Sequence, residues 1–261
     1  MKPQQPFLKL VTLWAVLFVI TGCTHRQAPA PAPVCATDLI VASSALVPSD
    51  TMQLVVAIPL RSDATRGVVY LFDRRATGWS RLAGPLPAMV GRRGFARPGE
   101  KREGDGRTPS GLFPLEFAFG YAPTITTKMP YRQATDDDLW VDDVHAPDYN
   151  QWVKHGQTTA SSFEKMKRDD HRYQYGLEIG YNRHPVVTGL GSAIFIHVWL
   201  ETGISTSGCV ALAESDMVAI LDWLDPEKKP LILMGDPRDL PLLPGWSGVA
   251  STTDSCKPGE P

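Results

Sequence analysis

The stretch Ser192–Leu212, SAIFIHVWLETGISTSGCVAL, constrains the fold of this chain more than any other. Ile194, Ile196, Val198 and Leu200 alternate with Phe195, His197 and Trp199. That is the period-2 pattern of a half-buried strand, with the histidine on the face opposite the aliphatics. Gly203, Ser205, Thr206, Ser207 and Gly208 then predict a turn whose backbone passes close to a neighbour. The chain returns through Cys209, Val210, Ala211 and Leu212, a layout that can bring His197 and Cys209 together. A cysteine thiolate attacks carbonyl carbon, and a nearby imidazole supplies the base or the stabilising cation. Gly208 fits this chemistry, because a bare backbone lets a carbonyl substrate approach and an N–H face its oxygen. Taken singly, Cys209 also reads as a small buried hydrophobe and His197 as a satisfied core histidine. The residues alone leave both readings open.

Most of the remaining chain reads as short strands and tight turns. Gln53–Leu60 and Gly67–Asp73 predict strands, and Ala76–Trp79 a hairpin turn after the second. Between Lys101 and Phe113 the sequence KREGDGRTPSGLF, crowded with Gly and Pro, excludes a helix and predicts consecutive turns. Its charges Lys101, Glu103 and Asp105 either brace a sheet edge or line a cleft. Phe117–Asp170 has no period and predicts an elaborated loop region, in which Trp140, His145 and Tyr149 are candidate cleft-lining residues. Glu214–Leu224 predicts an amphipathic helix with Val218, Leu221 and Leu224 in its apolar stripe, widened by Met217 and Ile220, and acids at its start. Pro230–Gly235 predicts a last buried strand. With 43% hydrophobic residues and a net charge of -2, the chain has ample core material and no basic field for nucleic acid. The histidines lack HExxH or other tight ligand spacing, so no metal site is expected.

The segment Thr206-Ser207-Gly208-Cys209-Val210 resembles the active-site signature of L,D-transpeptidases of the YkuD type, in which a histidine strand precedes the motif. Lys101–Phe113 is similar to that family's upstream turn motif, and Tyr181-Asn182 with Gly189–Ser192 to the approach to its histidine strand. The resemblance covers roughly residues 67–235. It implies a mainly β fold with a few helices, a YkuD-like β-sandwich or barrel-like domain. It also implies a cysteine acyltransferase acting on peptidoglycan peptide stems, with Cys209 as nucleophile, His197 as its base and no cofactor. The N–H groups of Gly208 and Cys209 are the expected oxyanion donors. Tyr181, Asn182, Thr206, Ser207, Trp199, Trp140 and His145 are the candidate substrate-binding residues, with Thr206 and Ser207 better read as turn shapers than as nucleophiles. A reactive Cys209 is expected to be accessible, to have a lowered pKa and to be alkylated near neutral pH, and slow labelling of the folded protein would count against the cysteine mechanism. Many family members carry glycine after the histidine and arginine two places after the cysteine, where this chain has Val198 and Ala211. Substrate choice, and transfer against hydrolysis, are therefore more open than the fold. A carboxypeptidase or amidase of the same fold and a non-catalytic envelope lipoprotein are the alternatives.

Residues 1–22 carry Lys2, Lys9 and an apolar run from Leu10 to Ile20, ending Thr21-Gly22 before Cys23. The run is short for a membrane span and flanked as a secretory signal, with a lipobox that predicts cleavage and acylation at Cys23. By resemblance to bacterial lipoproteins, Thr24 points to the outer membrane on the periplasmic face. Residues 23–36 read as an Ala/Pro-rich tether, and 37–261 as one catalytic domain. In an oxidising periplasm the two remaining cysteines, Cys35 and Cys256, are candidates for a disulfide joining the ends of that domain.

Overall fold

The computed structural model describes residues 45–60 and 63–246. The signal segment, Cys23, the tether and the Cys35–Cys256 pair lie outside the described residues.

The first three strands form a meander: β1 (Gln53–Leu60), β2 (Asp63–Arg75) and β3 (Gly78–Met89). Gly78, at φ 111°, closes the β2–β3 turn where the sequence placed it. β1 is buried on both sides: Val55 and Ala57 enter one apolar cluster, and Leu54, Val56 and Ile58 enter another with Phe72 and Leu233. Two buried faces explain its near-continuous run of aliphatics.

The upstream turn motif leads into β4 (Gly111–Gly120). After β9 (Tyr175–Ile179) come β10 (Phe195–Val198), β11 (Val210–Leu212), the helix α1 (Glu214–Trp223) and β12 (Leu231–Met234). Among the described residues the main sheet runs β12-β1-β2-β3-β11-β10-β9-β4, and β4 also pairs with β12, so the sheet closes into a barrel. Closure removes the open edges that an eight-strand sheet would otherwise expose. β5 (Tyr131–Gln133) adds in parallel to the far end of β4.

Helix α1 buries Met217, Ile220 and Leu221 in the barrel core. Its start lacks a side-chain cap, and Glu214 and Asp216 in the first turn complement the dipole instead. Val218 falls outside the buried stripe and is 38% exposed, a correction to the sequence reading.

Two further expectations change. The Phe117–Asp170 region holds regular structure besides loops: β6 (Asp138–Val141), β7 (Trp152–Lys154) and β8 (Phe163–Lys165) form a small antiparallel sheet, ordered β7-β6-β8. Strands of three or four residues are too short to show a period. That sheet supplies Trp140 to a third apolar cluster with Phe119, Tyr173, Ala193, Phe195 and Cys209. β10 is consequently buried on both faces rather than half-buried. Ile196 and Val198 face the barrel core, and Phe195 faces this third cluster. Phe195 makes edge-on contacts with Phe119, Trp140 and Tyr173 at centroid distances of 5.2, 4.9 and 5.7 Å, each worth about 0.5–1.5 kcal/mol beyond its buried area.

Candidate active site

β10 and β11 are parallel neighbours, with Ile196 opposite Val210 and His197 opposite Ala211. Side chains two apart on a strand share a face. Cys209, one residue before β11, therefore lies on the same face as Ala211 and diagonally from His197. A turn from Trp199 to Gly208 makes this possible, and it is tied down at several points. Thr206 N–H donates to Val90 O at 2.9 Å, and Arg92 N–H donates to Thr206 O at 2.8 Å. Thr206 Oγ1 accepts from Gly208 N–H at 3.1 Å and donates to Cys209 O at 2.7 Å. Thr108 Oγ1, from the upstream motif, also reaches Cys209 O at 3.4 Å and accepts from Gly91 N–H at 2.9 Å. Gly208 is closely packed where it stands: a Cβ there would sit 3.0 Å from Arg107 O and 3.1 Å from Ile194 Cδ1.

The two candidate reactive groups are nearly covered, His197 at 5% and Cys209 at 7% exposure. Phe195 N–H donates to Cys209 Sγ at 3.4 Å, and the thiol donates to Ala193 O at 3.3 Å. Burial pushes the Cys209 thiol up to about 12, and the Glu164 carboxylate adds to the effect. Burial drives His197 the other way, down to about 4, with Arg172 and Arg168 contributing. The resting pair is thus a neutral thiol and a neutral imidazole, which corrects the expected accessible, low-pKa cysteine. His197 Nδ1 lies 2.8 Å from Val198 O. A carbonyl only accepts, so the ring proton is on Nδ1 and Nε2 carries the basic lone pair.

Cys209 borders two cavities of about 220 Å³ each. One is lined by His197, Tyr173, Arg168, Arg172, Trp199 and Ala211. The other is lined by Arg92, Lys101, Glu103, Asp142, Ser192 and Gly208. Asp170 orders the first by binding Arg172 Nη2 at 2.6 Å and Arg168 Nε at 3.1 Å. Burial pushes the Asp170 carboxyl up, and these bonds more than reverse it. In the second, Lys101 Nζ is held by Asp105 at 2.8 Å, and Glu103 Oε2 accepts from Tyr149 OH at 2.5 Å and Ser192 Oγ at 2.6 Å. The upstream charges therefore do both things left open by the sequence: they brace the loop and line a cavity.

Residues 63–237 match the family model described as the YkuD L,D-transpeptidase catalytic domain. The chain belongs to the YkuD L,D-transpeptidase family. A search of curated proteins returns no match. Among solved structures, the helical cell shape determining protein Pgp2 from Campylobacter jejuni aligns over 75% of this chain and 54% of its own, at 13% identity and a TM-score of 0.35. The chain thus spans about half the length of that protein.

Within this YkuD domain the candidate residues separate. Thr206, Ser207 and Trp199 join Cys209 and His197 at the first cavity, and Ser207 Oγ also accepts from Arg92 Nη1 at 3.1 Å. Trp140 is 1% exposed and belongs to the third core cluster, its Nε1 donating to Asn150 Oδ1 at 2.9 Å. His145 is exposed and borders neither cavity. Tyr181 and Asn182 shape the approach to β10: Tyr181 OH donates to Leu190 O at 2.6 Å, and Asn182 Nδ2 donates to Val187 O and Gly191 O at 2.9 and 2.8 Å. Gly208 N–H is engaged by Thr206 Oγ1, so it is not free for an oxyanion in this state.

Sequence reasoning missed Glu164, Arg168, Arg172, Tyr173 and Ala193. Arg168 to Arg172 reads as a solvated charge run, and a left-handed φ of 53° at Ala193 has no signal in an alanine. Among the described residues no group of three or more His, Cys, Asp or Glu could hold a metal ion.

Proposed function

We propose that this chain is a cysteine L,D-transpeptidase that works through a Cys209 thioester. The observation that carries the reading is the diagonal placement of Cys209 and His197 on the parallel β10–β11 pair, with the imidazole tautomer set by Val198 O. Neither group ionises alone, so the thiol proton moves to His197 Nε2 as Sγ attacks the carbonyl carbon of a peptide stem. The oxyanion is received by the Cys209 N–H, since the Gly208 N–H is bonded to Thr206 Oγ1. As the C–N bond breaks, the imidazolium returns the proton to the leaving D-amino acid and the thioester remains. An acceptor amine then displaces sulfur and the thiol is restored.

Ala211 stands where many family members have arginine, and the cavity beside it is lined instead by Arg168 and Arg172. These two guanidiniums are the groups proposed to bind a stem-peptide carboxylate.

The test is mass spectrometry of muropeptides bearing tetrapeptide stems after incubation with the full chain in detergent, beside Cys209→Ala. Loss of D-alanine with a new cross-link or an exchanged terminal residue, absent from the variant, supports transpeptidation. Loss without exchange reassigns the enzyme as a carboxypeptidase, and unchanged muropeptides reject the donor. We also propose lipid anchoring at Cys23 to the periplasmic face of the outer membrane. Metabolic labelling with palmitate should then mark the wild-type chain and not Cys23→Ala, and an unlabelled wild type would reject the anchor.

A further inference from the structure

We propose that Glu164 receives the ammonium group of the acceptor and takes the first of its two surplus protons, so that it favours aminolysis of the thioester over hydrolysis. This rests on the acyl-enzyme reading above and names a residue of the same site.

Three observations converge on Glu164. It is at the centre of β8, and besides Ser207 and Cys209 it is the residue common to both cavities. It therefore borders the space beside Cys209 whichever cavity the second substrate enters. Its Oε2 accepts a short hydrogen bond from Tyr173 OH, and the Tyr173 ring packs edge-on against His197 at 5.2 Å. Its Oε1 accepts from no protein donor among the described residues, which leaves one carboxylate oxygen for a ligand.

The neighbouring carboxylates do not offer the same. Glu103 accepts from Tyr149, Ser192 and its following N–H, Asp170 is held by two arginines, and Asp142 borders only the second cavity. The charged and titratable groups that share a cavity with Glu164 are Arg168, Arg172, Tyr173, His197 and Cys209 in the first and Asp142, Glu103, Lys101 and Arg92 in the second. Burial raises its proton affinity, Asp142 adds to this, and Tyr173 and the arginines oppose it. A carboxyl raised in this way is a better partner for an ammonium proton than an exposed one.

The proton balance gives Glu164 its task. An acceptor amine reaches the site as R–NH3+ and has no lone pair to attack with. Transfer of one proton to Glu164 gives R–NH2 and the neutral carboxylic acid. Nitrogen then bonds to the thioester carbon, its second proton passes to His197 Nε2, and the C–S bond breaks as that proton moves on to Sγ. Glu164 afterwards releases its proton to solvent. Water carries no surplus proton, so hydrolysis does not need this step.

The test uses the full chain in detergent with a tetrapeptide muropeptide as donor and two acceptors at pH 7.5. D-methionine is an ammonium at this pH, whereas hydroxylamine is uncharged. Glu164→Gln keeps an oxygen for Tyr173 OH but cannot accept a proton. The ratio of D-methionine product to hydroxamate should fall at least about tenfold in Glu164→Gln, and should recover as pH rises and free amine accumulates. An unchanged ratio, or equal loss with both acceptors, overturns the assignment and leaves the acyl-enzyme standing. Failure of wild type to form hydroxamate from the tetrapeptide donor overturns the acyl-enzyme reading itself, and this assignment with it.

Discussion

Replacing Thr206 by valine removes one oxygen from the turn that holds Cys209 and leaves its shape almost unchanged. That oxygen makes two bonds, from Gly208 N–H at 3.1 Å and to Cys209 O at 2.7 Å. A hydrogen bond contributes about 1 kcal/mol net, and a buried group left unpaired costs about 1–3 kcal/mol. Cys209 O keeps the longer contact with Thr108 Oγ1 at 3.4 Å, so its loss is partial. Together these give a destabilisation of roughly 1–3 kcal/mol, read as a shift in urea midpoint with unchanged slope. The catalytic effect should be larger, because the same oxygen fixes the peptide plane that presents the Cys209 N–H. Acylation, followed as D-alanine release, should fall about 10–100-fold in kcat/KM. Thr206→Ser restores the hydroxyl and should return both properties most of the way. If Thr206→Val acylates at the wild-type rate with an unshifted midpoint, the turn is not held as argued.

Two further outcomes follow from the burial of the reactive pair. Because His197 is held near 4 in the fold against about 6.5 unfolded, the unfolded chain binds this proton first. Stability from this group is intact above pH 6.5 and is lost as pH falls towards 4. Urea titrations at pH 7.5 and pH 4 should show wild type losing roughly 3 kcal/mol more than His197→Phe, and equal losses would refute the depressed value. Because Cys209 is 7% exposed and pushed up to about 12, iodoacetamide should label it far more slowly in the folded protein than in urea at pH 7. Rapid labelling of the folded chain would mean that the resting thiol is ionised and accessible.

The placement of His197 and Cys209 was legible because it follows a short-range rule. Period 2 put His197 opposite the aliphatics of β10, and a small-residue turn brought Cys209 back alongside in the parallel β11. The helix after the site and the β1–β2–β3 meander were legible for the same reason, apart from Val218. What the sequence concealed depends on partners far along the chain. Trp140 became core rather than cleft because a three-stranded sheet folds over Phe195. Asn150 then links Trp140 to the approach loop, accepting from Ala193 N–H at 3.2 Å and donating to Asn182 O at 2.7 Å. Tyr181 and Asn182 lie on the approach to β10, where they bond the loop's own carbonyls. Gly208 was singled out for its bare backbone, and it does line the second cavity. Its N–H, however, is taken by a threonine two residues earlier, a bond that no spacing rule assigns.

The central claim is a covalent one, that Cys209 carries the acyl group. Intact-mass spectrometry of the full chain, quenched in acid seconds after mixing with tetrapeptide muropeptides, tests it most directly. The account predicts an added mass equal to the donor less D-alanine, mapped by peptide analysis to Cys209, removed by hydroxylamine and absent in Cys209→Ala. D-alanine release by Cys209→Ala at the wild-type rate, or an adduct mapping to another residue, would contradict it.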